Sequence, residues 1–96
     1  MPMVVTIDTP PNNSDVAGRG EFTTAGFVNP AKGTSMDATC DGQNGNPVEP
    51  PPHNPPYHWA FEFEGVTVDE WRALTVQGSN GSDVGDSTHN IRCVNP

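Results

Sequence analysis

The chain has 96 residues, which gives room for one small two-layer domain and excludes a two-lobed enzyme. Twelve acidic residues against four basic ones give a net charge of −8. Such a charge repels phosphate backbones and anionic membranes, so nucleic acid is not an expected partner. No apolar run approaches the roughly 20 residues of a membrane helix, so membrane insertion is not expected either.

The N-terminus lacks a secretory signal, because residues 1–7 are too short and carry no basic leader. We therefore interpret residues 1–96 as a single domain taken from a longer chain. Residues 1–3 are either native sequence or a cloning remnant.

The chain favours strands over helices, because ten Val, nine Thr and seven aromatic residues stand against a single Leu. Apolar and polar residues alternate with period two in segments separated by Gly, Pro and Asn. In chain order, the predicted strands are 3–8, 20–28, 34–41, 58–64, 71–78 and 88–94. The fourth is the clearest, with three aromatic residues on one face and His, Ala and two Glu on the other.

This pattern predicts an all-β fold, an antiparallel β-sandwich of about seven strands in two sheets. Residues 42–56 are predicted to form a connecting loop, because six of the ten residues 47–56 are proline and cannot belong to a central strand. The predicted core consists of Val5, Ile7, Phe22, Met36, Ala38, Trp59, Phe61, Phe63, Leu74, Val76 and Ile91.

Short motifs along most of the chain resemble bacterial Ig-like domains of cell-surface and secreted proteins. The opening strand and turn carry Val5-Thr6-Ile7, Pro10, Asn12, Val16 and Gly18; the closing strands carry Trp59-x-Phe61-x-Phe63 and Leu74-x-Val76-x-Gly78-x-Asn80-Gly81. The Gly-x-Tyr usual before the second-last strand is replaced by Glu70-Trp71-Arg72. The resemblance implies an immunoglobulin-like sandwich.

In a second alignment, the chain resembles the broader immunoglobulin superfamily, because Cys40, Trp59 and Cys93 follow in the order that such domains use. It would place Cys40 on strand B, Trp59 on strand C and Cys93 near strand F. We favour the bacterial alignment, because the second has a long insert between Cys40 and Trp59 and leaves no residues for strand G.

The two cysteines, in a module with a single lysine, favour an exported, extracellular or cell-surface protein. We expect a disulfide between Cys40 and Cys93. It would cross the core in the superfamily alignment, and join two non-neighbouring strands of one sheet in the bacterial alignment.

No residue set predicts catalysis, because the sequence has no nucleophile-elbow serine and no HExxH or CxxC spacing. We therefore expect a non-enzyme without a cofactor, calcium being the one candidate. Asn80, Asp83 and Asp86 offer oxygen ligands three residues apart in a glycine-containing segment. The alternative is a polar turn that joins two strands.

Trp71 is the main candidate for ligand contact, since a regular strand would place it on the face opposite Leu74 and Val76. An exposed Trp is a common platform for sugars or protein partners, and Tyr57 would extend the surface. Alternatively, Trp71 folds over a sheet edge as part of the core.

The sequence thus predicts a non-catalytic structural or adhesion module of a larger exported protein, acting as a spacer or interaction domain. Its partners would be neighbouring domains of the same chain, and polysaccharide or a surface protein as further candidates. The alternative is a carbohydrate- or peptide-binding module that uses Trp71 and Tyr57 or a sheet edge.

Overall fold

A computed structural model describes residues 3–29, 34–48 and 58–94 and shows strands throughout, with no helix in these ranges. The strands are β1 (Val4–Thr9), β2 (Ser14–Ala17), β3 (Phe22–Asn29), β4 (Ser35–Cys40), β5 (Gln43–Asn44), β6 (Asn46–Pro47), β7 (His58–Phe63), β8 (Trp71–Ser79) and β9 (Val84–Val94). The described part of the chain accordingly holds no helix that could cross a membrane.

The strands form two sheets. Strands β1, β3, β7 and β6 make one sheet in that order, and β2, β9, β8, β4 and β5 make the other. All pairs are antiparallel except β2 with β9. Seven strands have four or more residues, and β5 and β6 have two each. The predicted all-β sandwich is therefore confirmed.

The N-terminal segment contributes to both sheets. Strand β1 pairs with β3, and β2 pairs with the last four residues of β9. The register of β1 shifts between Ile7 and Thr9, where the chain leaves the first sheet. Each of the two sheets thus gains an edge strand that covers only part of its neighbour.

Three parts of the fold differ from the sequence prediction. Strand β2 was predicted as a connection; it pairs with β9, more than 70 residues away along the chain. Strand β9 begins at Val84 rather than 88, because pairing with β8 overrides the low strand propensity of Gly85 and Asp86. Strands β5 and β6 lie in the predicted loop 42–56, whose residues 49–56 fall outside the described ranges.

The core lies between the sheets, where inward residues of both meet. Ten of the eleven predicted core residues are buried, and Met36 is partly buried against the others. The core also includes residues the prediction did not name: Met3, Thr24, Val28, Thr34, Cys40, Ala60, Val66 and Cys93. Phe22 and Phe63 stack with ring centroids 5.1 Å apart, joining β3 to β7.

The superfamily alignment is not the register of this fold. Trp59 lies on β7, which pairs with β3 in the four-stranded sheet. Cys40 and Cys93 both lie in the five-stranded sheet, on β4 and on the final strand β9. The superfamily alignment would place the two cysteines in opposite sheets, whereas the bacterial alignment places them on non-neighbouring strands of one sheet, as observed.

Candidate interaction surface

Trp71 lies on the outer face of the five-stranded sheet, as strand alternation predicts. Leu74 and Val76 point into the core, whereas Trp71 is 51% exposed. The alternative, in which Trp71 folds into the core, is wrong. Tyr57, the residue predicted to extend this surface, lies outside the described ranges.

Arg92 covers one face of the Trp71 ring. Trp71 pairs with Arg92 across β8 and β9, and the guanidinium carbon lies 5.1 Å from the ring centroid. Arg92 also donates from Nε and Nη2 to the two carboxylate oxygens of Asp15 on β2, at 2.7 and 3.0 Å. Its hydrogen bonds lower the pKa of Asp15. Trp71, Arg92 and Asp15 therefore form a ladder across three strands, a contact that single-sequence alternation does not reveal.

Asp41 ties the turn after β4 to the segment between β7 and β8. Its Oδ2 accepts hydrogen bonds from the backbone N–H and the hydroxyl of Thr67, at 3.0 and 2.6 Å. These bonds lower the pKa of Asp41. Arg72 brings its Nε to 3.2 Å from Asp41 Oδ1 and also contacts Glu70. Sequence reasoning missed this cluster, because Asp41 lies more than 20 residues along the chain from Thr67 and Arg72.

The residues of the calcium candidate lie at the β8–β9 hairpin. Asn80 Oδ1 accepts the backbone N–H groups of Ser82 and Asp83, at 3.0 and 2.7 Å, as expected of a polar turn. Asp86 lies beyond the turn, on β9 opposite Gln77. Within residues 3–29, 34–48 and 58–94, no three His, Cys, Asp or Glu side chains form a group that could hold a metal.

Calcium binding at this hairpin stays a prediction. If Asn80, Asp83 and Asp86 hold calcium, the melting temperature will rise in calcium and the rise will be lost in Asp83→Ala. Identical melts in calcium and in EDTA would exclude the site.

The outer face of the four-stranded sheet carries a small apolar patch. Val4 and Phe27 are exposed there, and they line a shallow depression together with Thr6, Val28 and Asn29. The ring of Phe27 packs edge-on against His58, with centroids 5.3 Å apart. The sequence analysis did not predict Phe27 as a binding residue. The pattern of a single strand does not show which outward-facing aromatic residue remains exposed in the folded protein.

The cysteines do not form the expected disulfide. Both are buried and free, on strands separated by β8. Two interstrand spacings amount to about 9.5 Å, more than the roughly 7 Å between Cα atoms that a disulfide spans. They are also out of register: Cys40 faces Leu74, Leu74 faces His89, and Cys93 lies four residues further along β9.

Burial raises the pKa of the Cys40 thiol to about 11, with nearby Cys93 and Asp41 acting in the same direction. Burial also raises the pKa of Cys93. A thiol whose pKa is raised by folding stabilises the folded state below its unfolded pKa, and that contribution is lost as the pH rises through the folded value. Stability should therefore fall between about pH 8.5, the ordinary thiol pKa, and pH 11.

Thiol alkylation tests this arrangement. Folded protein should label slowly at pH 8, and unreduced protein in denaturant should label at both cysteines, because the thiols are buried but free. Labelling of the unfolded, unreduced protein only after a reductant would show that a disulfide does form.

Comparison with solved structures identifies the fold. No family model matches the sequence, and no curated protein matches it. The fold is similar to the titin M3 domain, with a TM-score of 0.61 and 9% identity over 94% of this chain and 96% of that one. In the titin M10–obscurin like 1 Ig complex, the TM-score is 0.63 with 8% identity, covering 96% of this chain and 95% of that one.

A third similar structure is the N-terminal Ig1-2 module of the Drosophila receptor protein tyrosine phosphatase DLAR. It has a TM-score of 0.64 and 14% identity, and the match covers all of this chain, 100%, and 50% of that one. These likenesses concern the fold. The chain is an immunoglobulin-like β-sandwich, as the sequence resemblance implied.

Proposed function

We propose that this chain is a non-catalytic structural or adhesion module of a larger exported or cell-surface bacterial protein, and that it acts as a spacer between neighbouring domains. Its fold supports a structural or interaction role, because immunoglobulin-like sandwiches serve widely as modules of longer chains. The sequence motifs offer no nucleophile paired with a general base, which supports a non-catalytic role.

The observation that carries the proposal is the placement of the first and last described residues, Met3 and Val94. Met3 packs against Gly85, near the start of β9, and the described chain closes at Val94, near the end of that strand. Nine residues of strand separate these points, about 30 Å at roughly 3.3 Å per residue. The body measures 39 × 21 × 19 Å. The first and last described residues therefore lie towards opposite ends of an extended module. That geometry lets tandem domains extend in a line.

The parent reading frame tests this proposal. We expect an export signal upstream and at least one adjoining domain, together with surface labelling of the parent protein on intact cells. An isolated cytoplasmic frame of this length would overturn both the export and the spacer role.

A second candidate function is carbohydrate or peptide binding through Trp71, favoured by the half-exposed indole on the outer face of the five-stranded sheet. A pull-down on insoluble and cell-wall polysaccharides tests it. Retention that Trp71→Ala abolishes and Phe27→Ala preserves would support it, because Phe27 is a similarly exposed aromatic residue on the other sheet, at 47%. No retention of the folded wild-type domain would exclude polysaccharide as its ligand.

A further inference from the structure

Strand β9 is longer than β2, the strand that pairs with its outer edge. It has eleven residues, and β8 pairs with it from Val84 to Arg92. On the other side, β2 pairs only with residues 91–94. Asn90 is covered as well, since it accepts a hydrogen bond from the N–H of Asn13 and donates its own N–H to the Asn12 side chain. Among the described residues, no strand pairs with this edge between Val84 and Thr88.

The direction of the backbone groups follows from Asn90. Its N–H and C=O point away from β8, and strand alternation gives the same direction to Val84, Asp86 and Thr88. The side chains agree: the hydroxyls of Thr75 and Thr88 lie 3.1 Å apart, as expected for a pair without mutual backbone hydrogen bonds. Three residues thus present donors and acceptors at a sheet edge that no other strand of residues 3–29, 34–48 and 58–94 covers.

The side chains of this edge determine which strand fits. Val84 is 62% exposed, and Asp86 and Thr88 are also exposed on the outer face. Asp86 continues a cross-strand row with Gln77 and Asp37. The edge therefore presents valine, aspartate and threonine at alternate positions, with the aspartate in the middle.

A second copy of the chain is a poor partner for this edge. Antiparallel self-pairing that uses all three residues would place Asp86 directly opposite its own copy, and like charges opposite each other destabilise a sheet. Each chain also carries a net charge of −8. A strand with a cation at its centre would instead place an attractive charge opposite Asp86.

We propose that β9 binds an extended basic segment of a partner protein, which adds an antiparallel strand along Val84–Thr88 with Arg or Lys opposite Asp86. Backbone hydrogen bonds to the three open residues supply the attachment, and the charge pair selects the partner and its register. This deepens the interaction role proposed above and rests on the folded module alone, so it stands or falls independently of export and tandem repetition.

In the experiment, a synthetic heptapeptide is added to the full chain, and NMR measures hydrogen exchange of the backbone amides. The peptide carries arginine at its centre, threonine two residues before and valine two residues after it, with serine elsewhere. Val84, Asp86 and Thr88 amides should gain hydrogen-exchange protection, while Gly85 and Ser87, already bonded to β8, should change little. The arginine peptide should bind about 10-fold more tightly than its glutamate counterpart at low salt.

Two controls separate strand addition from charge attraction. N-methylation of the central arginine removes its backbone donor and should abolish binding. Asp86→Lys should reverse the preference between the two peptides, whereas Asp8→Lys, the same charge change on an exposed residue of the other sheet, should retain the arginine preference. Circular dichroism verifies that both variants fold.

Binding that survives N-methylation, or that protects no alternating amides, would overturn strand addition. Concentration-dependent dimerisation that protects the same three amides would overturn the partner chemistry in favour of a second copy. A folded protein that binds none of the peptides would overturn the proposal altogether, and would leave the spacer role untouched.

Discussion

Replacing Trp59 with alanine is expected to lower the free energy of unfolding by about 3–5 kcal/mol, the range for large aromatic residues in a core. Trp59 is 1% exposed. Its Nε1 donates a hydrogen bond to the carbonyl of Phe27 at 3.0 Å, and its ring lies 6.1 Å from that of Phe61. Truncation removes this packing and leaves a cavity between the sheets. Urea denaturation followed by far-UV circular dichroism measures the loss.

Trp71→Ala is the matched control, because it removes the same side chain from the outer face. It loses a solvent-exposed contact with Arg92, which is worth about 0.5–1 kcal/mol. A small domain of this size has a stability of only about 5–15 kcal/mol, so Trp59→Ala should remove a large fraction of it and Trp71→Ala a small one. Equal losses in the two variants would contradict the assignment of inner and outer faces.

Gly26→Ala is the second change expected to have a large effect. Gly26 lies in the middle of β3, between Ile7 on β1 and Trp59 on β7. A Cβ atom there would lie 1.9 Å from the carbonyl oxygen of Thr6 and 2.7 Å from the Trp59 ring. Neither the paired backbone nor the buried ring can move freely, so we expect a loss of about 3 kcal/mol or more, at the upper end of overpacking effects.

Gly81→Ala separates this collision from the general cost of replacing a glycine. Gly81 lies at the β8–β9 turn with a φ of 88°, and a Cβ there would meet nothing within 4 Å. The cost should be that of left-handed backbone strain, about 1–2 kcal/mol. Thermal melts of both variants compare the two costs. A Gly26→Ala protein as stable as Gly81→Ala would show that β1 and β3 are not packed as closely as described.

Alternation within single strands was readable from the sequence, because each strand contrasts an apolar face with a polar one. The segment 58–64 predicted the inward set Trp59, Phe61 and Phe63, and these residues are buried. The same reasoning placed Leu74 inside, and it gave an outward Trp71 as one of two alternatives, the one that the structure bears out. These results depend on local period-two patterning, which burial of one sheet face imposes on the strands that cover the core.

Which strands become neighbours was not readable in the same way, because pairing depends on residues far apart in the chain. The bacterial alignment put Cys40 and Cys93 on non-neighbouring strands of one sheet, but only the tertiary structure shows that β8 lies between them. It likewise brings Asp15 to Arg92, 77 residues away, and Asp41 to Thr67.

The open edge of β9 has the same origin. Residues 84–88 contain Gly and Asp, which single-sequence propensity assigns to a turn. Pairing with β8 makes them a strand. Because β1 pairs with β3 in the other sheet and β2 reaches only residues 91–94, no strand of the described part of the chain covers their outer edge. The sequence by itself thus determined the class of fold and the faces of most strands, since each follows from local burial. Strand order, the free thiols and the open edge were decided by tertiary contacts, since long-range pairing determines which groups meet.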